Sequence, residues 1–120
     1  KSGDSGNGAK ALKIFTGTSS DTGITIDTSN NIGINSTTPS GRLDVGGNVF
    51  PAADNTHDLG SSSKRWANIY TGDLNLSNEG SANDVDGTWG QYTIQEGEDD
   101  LFLINRRTGK KYKFNLTEVD

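Results

Sequence analysis

Two short segments carry the residue types from which catalytic sites are built. Gly3-Asp4-Ser5-Gly6 has the pattern that surrounds some nucleophilic serines, and His57 is the one histidine of the chain. Ser-His-acid triads occur in several chain orders, so the position of His57 after Ser5 does not decide the matter. The tetrapeptide is short, however, and lies in a Gly/Ser-rich linker where such a match arises by chance. We therefore predict no nucleophilic catalysis.

Acidic residues suggest two further kinds of site. Asn83-Asp84-Val85-Asp86-Gly87 has the look of a calcium loop, but an EF-hand would need an acid at position 82 and a glutamate at position 93. Those positions hold Ala82 and Thr93. Four later acidic residues fit a solvated loop better than a calcium site. They are Glu96, Glu98, Asp99 and Asp100. Paired carboxylates also serve glycosidases, which need a longer, grooved scaffold. We predict that the chain is not an enzyme and holds no metal or cofactor.

The elements that would position any site must be short and must depend on partner chains. Leu, Ile, Val and Phe make up 24 of the 120 residues, near the limit below which chains stay disordered. The net charge of -5 is too small to explain disorder by repulsion, and the chain has no cysteine. Short chains with few apolar residues need staples, metals or partners. We therefore predict association with copies of itself.

Charge and hydropathy argue against two other partners. The pI of about 4.7 disfavours nucleic acid, which binds basic surfaces. No stretch approaches the roughly 18 apolar residues of a membrane span, so no membrane insertion is expected. The chain has no methionine, and we expect it to be part of a longer protein.

Turn-forming residues and short alternating patterns predict a mainly β chain. The 16 glycines and many Ser, Thr, Asn and Asp residues favour turns. The apolar run at 11–15 predicts a first strand. The period of a half-buried strand then appears three times, at Ile24-Thr25-Ile26, Ile32-Gly33-Ile34 and Leu43-Asp44-Val45. One short helix or helical turn is predicted over Ser62–Tyr70, capped by a serine.

The last third of the chain predicts a small antiparallel sheet. Strand-like runs occupy residues 92–95, 101–104 and 112–116, and Gly109 supplies the positive φ for a turn between the last two. The predicted domains are a flexible linker at 1–10, a β-rich shaft segment at 11–60, a helical turn with loops at 61–88, and the sheet module at 89–120.

Three segments resemble sequences of phage fibres. Asn31–Val49 resembles a Gly-Ile-Gly…Pro…Leu-x-Val-x-Gly segment that is common in phage tail fibres and related trimeric adhesins. Asp58–Tyr70 is similar to a second fibre signature, which often lies upstream of a self-cleaving intramolecular chaperone of the endosialidase type. Trp89–Val119 looks like the ends of structural proteins of cyanophages and other marine phages. Nothing in the chain resembles the catalytic dyad of that chaperone.

The resemblance implies an elongated, intertwined, parallel homotrimer in a virion fibre, extracellular when it acts. Its partners would be other virion proteins and a host-surface glycan or protein. Burial also favours a trimer, because short alternating strands cannot bury their apolar residues alone. The residues predicted for the trimer core are Ile24, Ile26, Ile32, Ile34, Leu43, Val45, Trp66, Ile69 and Tyr70. Trp89 and Tyr92 are predicted to pack in the sheet or to contact a glycan.

Two other hypotheses stay open at this stage. The chain could belong to a bacterial surface adhesin or glycan-binding module, which would carry secretion or anchoring sequence elsewhere. It could also be a fragment of a polysaccharide depolymerase, which would show a carboxylate pair in a groove. Three copies of His57 on a trimer axis could bind a metal, but no nearby residue repeats the ligand, so we predict a turn histidine.

Overall fold

The computed structural model describes residues 12–15 and 23–120, and these residues form eight short strands and no helix. The chain divides into two compact units, Lys1–Leu59 and Gly60–Asp120, and the strands form two four-stranded sheets. The prediction of a mainly β chain is confirmed. The predicted linker at 1–10, with its Gly-Asp-Ser-Gly tetrapeptide, lies outside the described residues. The described part of the chain has no helix that is long and apolar enough to span a membrane.

The first sheet consists of one strand from the apolar run at 11–15 and three strands that the alternating triplets predict. They are β1 (Leu12–Ile14), β2 (Ile24–Ile26), β3 (Ile32–Ile34) and β4 (Leu43–Val45). The strands lie in chain order, antiparallel except for the parallel pair β3–β4. A parallel connection usually takes a dozen or more residues. Strands of three residues span only about 10 Å, so residues 35–42 suffice to bring the chain back.

The turn between β2 and β3 is closed by the side chain of Asp27. Its Oδ1 accepts hydrogen bonds from the backbone amides of Ser29 at 2.8 Å and Asn31 at 2.9 Å. Asn30 has a φ of 63°, in the left-handed region that asparagine tolerates better than most residues. The Arg42 guanidinium donates to the Ser29 carbonyl at 2.9 Å. These polar contacts hold the predicted turn in one shape and so set the register of β2 and β3.

Gly33 marks a close approach of the backbone to itself. It lies at the centre of β3 and is buried. A Cβ at this position would overlap the backbone carbonyl group of Ser36. Glycine is therefore required here because any larger residue would push the connection to β4 away from the sheet.

The second sheet is an antiparallel meander. Its strands are β5 (Leu74–Ser77), β6 (Gln91–Glu96), β7 (Leu101–Asn105) and β8 (Lys111–Lys113). The predicted antiparallel sheet is confirmed, and β5 joins it from the segment predicted to hold loops. In the turn between β7 and β8, Gly109 has the expected positive φ, 75°. Its amide donates to the Asn105 carbonyl at 2.8 Å.

The prediction of a helical turn over Ser62–Tyr70 is wrong, and a single reverse turn takes its place. The backbones of Ser61 and Lys64 exchange hydrogen bonds at 3.0 and 3.2 Å, and Ser61 Oγ accepts from the Lys64 amide at 3.1 Å. The serine thus makes a capping contact, but no helix follows. The first turn of a helix is costly to form. Packing does not offset that cost, since Tyr70 is 94% exposed.

Replacing Gly33 by alanine tests the close approach in β3. We expect Gly33→Ala to lower the free energy of unfolding by roughly 1–3 kcal/mol, because the new Cβ must displace the Ser36 backbone. The matched control is Gly47→Ala, where a Cβ would meet nothing within 4 Å. Denaturant unfolding of both variants measures the difference. Equal stabilities would contradict the crowding at β3.

The Asp27 turn should make stability depend on acid pH. The Asn31 amide that donates to the Asp27 carboxylate lowers the pKa of Asp27 below its ordinary value of 3.8. A lowered folded-state pKa gives a stabilisation that is present above about pH 3.8 and is lost as the pH falls through the folded value. We expect the melting temperature to fall less steeply below pH 4 in Asp27→Asn than in the unmodified chain.

The control for this titration is Asp58→Asn, which removes an exposed carboxylate that accepts no hydrogen bond from the described residues. It should keep the acid profile of the unmodified chain. Parallel melting profiles for Asp27→Asn and the unmodified chain between pH 2 and pH 6 would refute a stabilising role of the ionised Asp27.

Candidate functional site

The first sheet carries its aliphatic side chains on one face, in two cross-strand rows. Paired residues of neighbouring strands point to the same side of a sheet, as do residues two apart within a strand. The register therefore places eight aliphatic residues on one side. One row is Leu12, Ile26, Ile32 and Leu43, and the other is Ile14, Ile24, Ile34 and Val45. These eight residues are the first aliphatic face.

Most side chains of the first aliphatic face are exposed to solvent, whereas the buried positions of this sheet lie at the centre of the opposite face. Ile24, Ile32 and Ile34 are 37–38% exposed, and Leu43 is 64% exposed. On the other side lie Lys13, Thr25, Gly33 and Asp44, among which Thr25 is only 4% exposed. A sheet with one solvated face normally turns its apolar side to the core. Here the two buried positions, Thr25 and Gly33, lie on the polar side, and five of the eight aliphatic residues are exposed on the other.

The second sheet also exposes apolar side chains on one face. Its register aligns Leu74, Ile94, Leu103 and Tyr112 in one row, with Leu76 and Tyr92 beside it on the same side. These six residues are the second aliphatic face. Leu74, Leu76 and Tyr112 are 46–47% exposed. Nothing among the described residues of this unit covers them fully.

A polar network holds the opposite side of the second sheet. Thr93 is fully buried, and its hydroxyl donates to Asn75 Oδ1 at 2.7 Å. The Thr93 hydroxyl oxygen in turn accepts from Arg106 Nε at 2.9 Å. Ile104, paired with Thr93 across β6 and β7, is 8% exposed. The best-buried part of this sheet is thus organised around a satisfied hydroxyl rather than a cluster of apolar side chains.

The remaining residues predicted for the trimer core lie outside both sheets. Trp66, Ile69 and Tyr70 are 63%, 71% and 94% exposed, in the irregular chain between β4 and β5. Phe50 and Leu59, in the same connection, are 79% and 78% exposed. The structure gathers Ile24, Ile26, Ile32, Ile34, Leu43 and Val45 on one face, and the larger side chains belong to neither sheet.

The two aromatic residues predicted to contact a glycan line a common cleft. Trp89 and Tyr92 border a space of about 410 Å³ together with Asn78, Asp86 and Thr88. The guanidinium carbon of Arg107 lies 3.8 Å from the centroid of the Trp89 ring, a cation–π contact. One Arg107 Nη also donates to the Trp89 carbonyl at 2.9 Å. The indole is therefore held in place from outside the cleft.

The acidic run that resembled a calcium loop is closed by its own hydrogen bonds. Asn83 Oδ1 accepts from the amides of Val85 at 2.7 Å and Asp86 at 3.0 Å. The Thr88 hydroxyl donates to Asp86 Oδ1 at 2.7 Å and is the main reason why the pKa of Asp86 is lowered. In the described ranges, no three His, Asp or Glu side chains are grouped so as to hold a metal ion. His57 is exposed in a loop.

Comparison with protein families, curated proteins and solved structures finds no match to this chain. The interpretation of both sheets and of the cleft therefore depends on their own geometry.

Several members of the two aliphatic faces were not predicted from the sequence. Leu12 and Ile14 lay in a predicted strand but were not assigned to the core. Leu74-Asn75-Leu76-Ser77 has the alternation of a half-buried strand, and this signal could have identified β5. The polar partners Asn75 and Arg106 of Thr93 could not be found from the sequence, because they meet only through the pairing of β5, β6 and β7.

Replacing Thr93 by valine tests the buried network. The change keeps the shape of the side chain but leaves Asn75 Oδ1 and Arg106 Nε without their common partner. We expect Thr93→Val to destabilise the chain by about 1–3 kcal/mol. Thr117→Val, at an exposed position with no hydrogen-bond partner among the described residues, should change stability by less than about 0.5 kcal/mol. Denaturant unfolding that gave the two variants equal stability would contradict this role.

Proposed function

We propose that the chain is a structural segment of a phage fibre, in which three parallel copies bury their first aliphatic faces against one another. The observation that supports this most strongly is the first aliphatic face, eight residues in register on the uncovered side of a sheet. Exposed apolar patches of this kind are typical of interaction sites. The chain is thereby a part of a virion appendage that supports host attachment.

Burial supplies the driving force for this assembly. Fully burying a large aliphatic side chain stabilises a protein by roughly 1.5–3 kcal/mol. Ile24, Ile32 and Ile34 retain 37–38% of their exposure in the single chain, and Leu43 retains 64%. Much of the gain available from these residues is therefore still unrealised. A neighbouring copy with the same face is a partner that would exclude water from it.

Three copies are proposed because of the sequence resemblance, since two faces could also close as a dimer. Asn31–Val49, which contains β3 and β4, resembles a segment of trimeric fibres. Asp58–Tyr70 resembles a second fibre signature and holds Trp66, Ile69 and Tyr70, which we propose to pack against neighbouring copies. Other virion proteins would meet the rod at one end, and a host-surface glycan or protein at the other.

A bacterial surface adhesin or glycan-binding module is the second candidate. The cleft beside Trp89 and Tyr92 favours it, because a glycan contact does not require a virion. The two candidates place the same chain on different particles. Gold-labelled antibodies against the chain should decorate virion appendages if the first proposal holds. Labelling of a bacterial envelope would favour the adhesin.

The assembly is tested by the mass of the chain in solution. Light scattering at two concentrations should give about three times 12.8 kDa at both. Ile34→Asp places a charge in the middle of the first aliphatic face, where it cannot be buried without a large cost, and should reduce the mass to that of one chain.

The matched control is Val85→Asp, which makes a similar change at a loop position that is 96% exposed. It should leave the mass unchanged. A compact monomer of the unmodified chain would refute the burial argument. A stable dimer would keep the burial argument and refute the fibre geometry.

A further inference from the structure

We propose that the cleft beside Trp89 is a binding site for a neutral, hydroxyl-rich sugar. The proposal goes beyond the structural role of the chain and depends on the cleft alone. The cleft has an aromatic wall, a polar wall and an acidic side chain.

The aromatic wall is rigid before any ligand binds. Arg107 lies against the Trp89 ring and also donates to the Trp89 carbonyl. The Tyr92 ring lies so close to Gly90 that a Cβ there would come within 2.8 Å of it, and the Tyr92 hydroxyl accepts from Asn105 Nδ2 at 3.3 Å. Both rings thus need little ordering on binding, which lowers the entropic cost. Flat aromatic surfaces of this kind suit the apolar side of a sugar ring.

The polar wall offers both an acceptor and a donor. The amide and hydroxyl of Thr88 and the side chain of Asn83 all donate to Asp86 Oδ1, at 2.7–3.0 Å. Asp86 Oδ2 accepts nothing from the described residues. Asn78 Oδ1 accepts from the Gly90 amide at 2.7 Å, and Asn78 Nδ2 donates to no described residue. The cleft therefore has one carboxylate oxygen and one amide nitrogen ready for hydroxyl groups.

The charge of the cleft selects between classes of sugar. No lysine, arginine or histidine is among the described residues that line it. Arg107 lies against the Trp89 ring but is not one of those residues. Asp86 is hydrogen-bonded as the anion, and its lowered pKa keeps it ionised at neutral pH. An unbalanced carboxylate repels sialic and uronic acids and accepts hydrogen bonds from neutral hydroxyls. A volume of about 410 Å³ is in the usual range for small ligands.

The experiment is a titration of the purified chain with two panels of sugars, followed by tryptophan fluorescence and by calorimetry. The neutral panel contains oligomers of glucose, galactose and N-acetylglucosamine, and the acidic panel contains sialyllactose and digalacturonic acid. A dissociation constant of about 1–10 mM is expected for at least one neutral sugar, because an open cleft buries only part of it. The acidic panel should bind at least about tenfold more weakly.

Two variants locate the site. Asp86→Asn should weaken neutral-sugar binding about tenfold, whereas Asp84→Asn makes the same charge change in the same loop, outside the cleft lining, and should have almost no effect. Asn78→Asp keeps the oxygen that accepts from Gly90 and removes the free donor. It should weaken binding even if Asp86→Asn disturbs the loop.

Three results would overturn the proposal. They are no binding of any neutral sugar at about 20 mM, stronger binding of the acidic panel, or equal effects of Asp84→Asn and Asp86→Asn. Light scattering on the same samples reports assembly separately. A trimer that binds no sugar would refute this site and leave the fibre proposal in place, and a monomer that binds sugar would do the reverse.

Discussion

The constraint on which the rest of the structure depends is that each sheet has its most buried positions on one face and leaves apolar side chains exposed on the other. In the first sheet, the buried positions are Thr25 and Gly33, while the isoleucines paired beside them face outward. In the second sheet, Thr93 is the fully buried side chain. Hydrophobic burial, the main favourable term in folding, is therefore largely unrealised within one chain. In the proposed assembly, the apolar surface that one chain leaves exposed would be buried between copies.

Side-chain hydrogen bonds fix the conformations of the turns and the pairing of the strands. The Asp27 carboxylate fixes one turn, the Asn83 amide closes one loop, and the Thr93 hydroxyl joins Asn75 to Arg106. Each such bond contributes only about 1 kcal/mol net, but leaving a buried partner unsatisfied costs more. Polar contacts of this kind select one register without supplying much stability. Polar contacts that select the register would suit the proposed assembly, in which the aliphatic rows are aligned before other copies cover them.

The sequence predicted where strands lie better than it predicted what they do. Alternating triplets such as Ile24-Thr25-Ile26 became strands, and Gly109 took the positive φ that its turn required. The helical turn at 62–70 failed because a capping serine cannot offset the cost of a first helical turn without packing. Periodicity also says which residues share a face but not which face is covered. That depends on tertiary contacts such as the Ser36 carbonyl above Gly33.

Tyr92 connects the two surfaces to which the structure draws attention. It belongs to the second aliphatic face, where it is paired with Leu76 of β5, and it is paired with Asn105 of β7. Its ring also lines the cleft beside Trp89. If copies assemble through the first aliphatic face, each new copy brings one more cleft. A ligand array with matching spacing then binds with an effective concentration set by the protein's own geometry. Under the proposed assembly, weak sites on each chain would be no obstacle to firm attachment, because the contacts between copies would also multiply the sites.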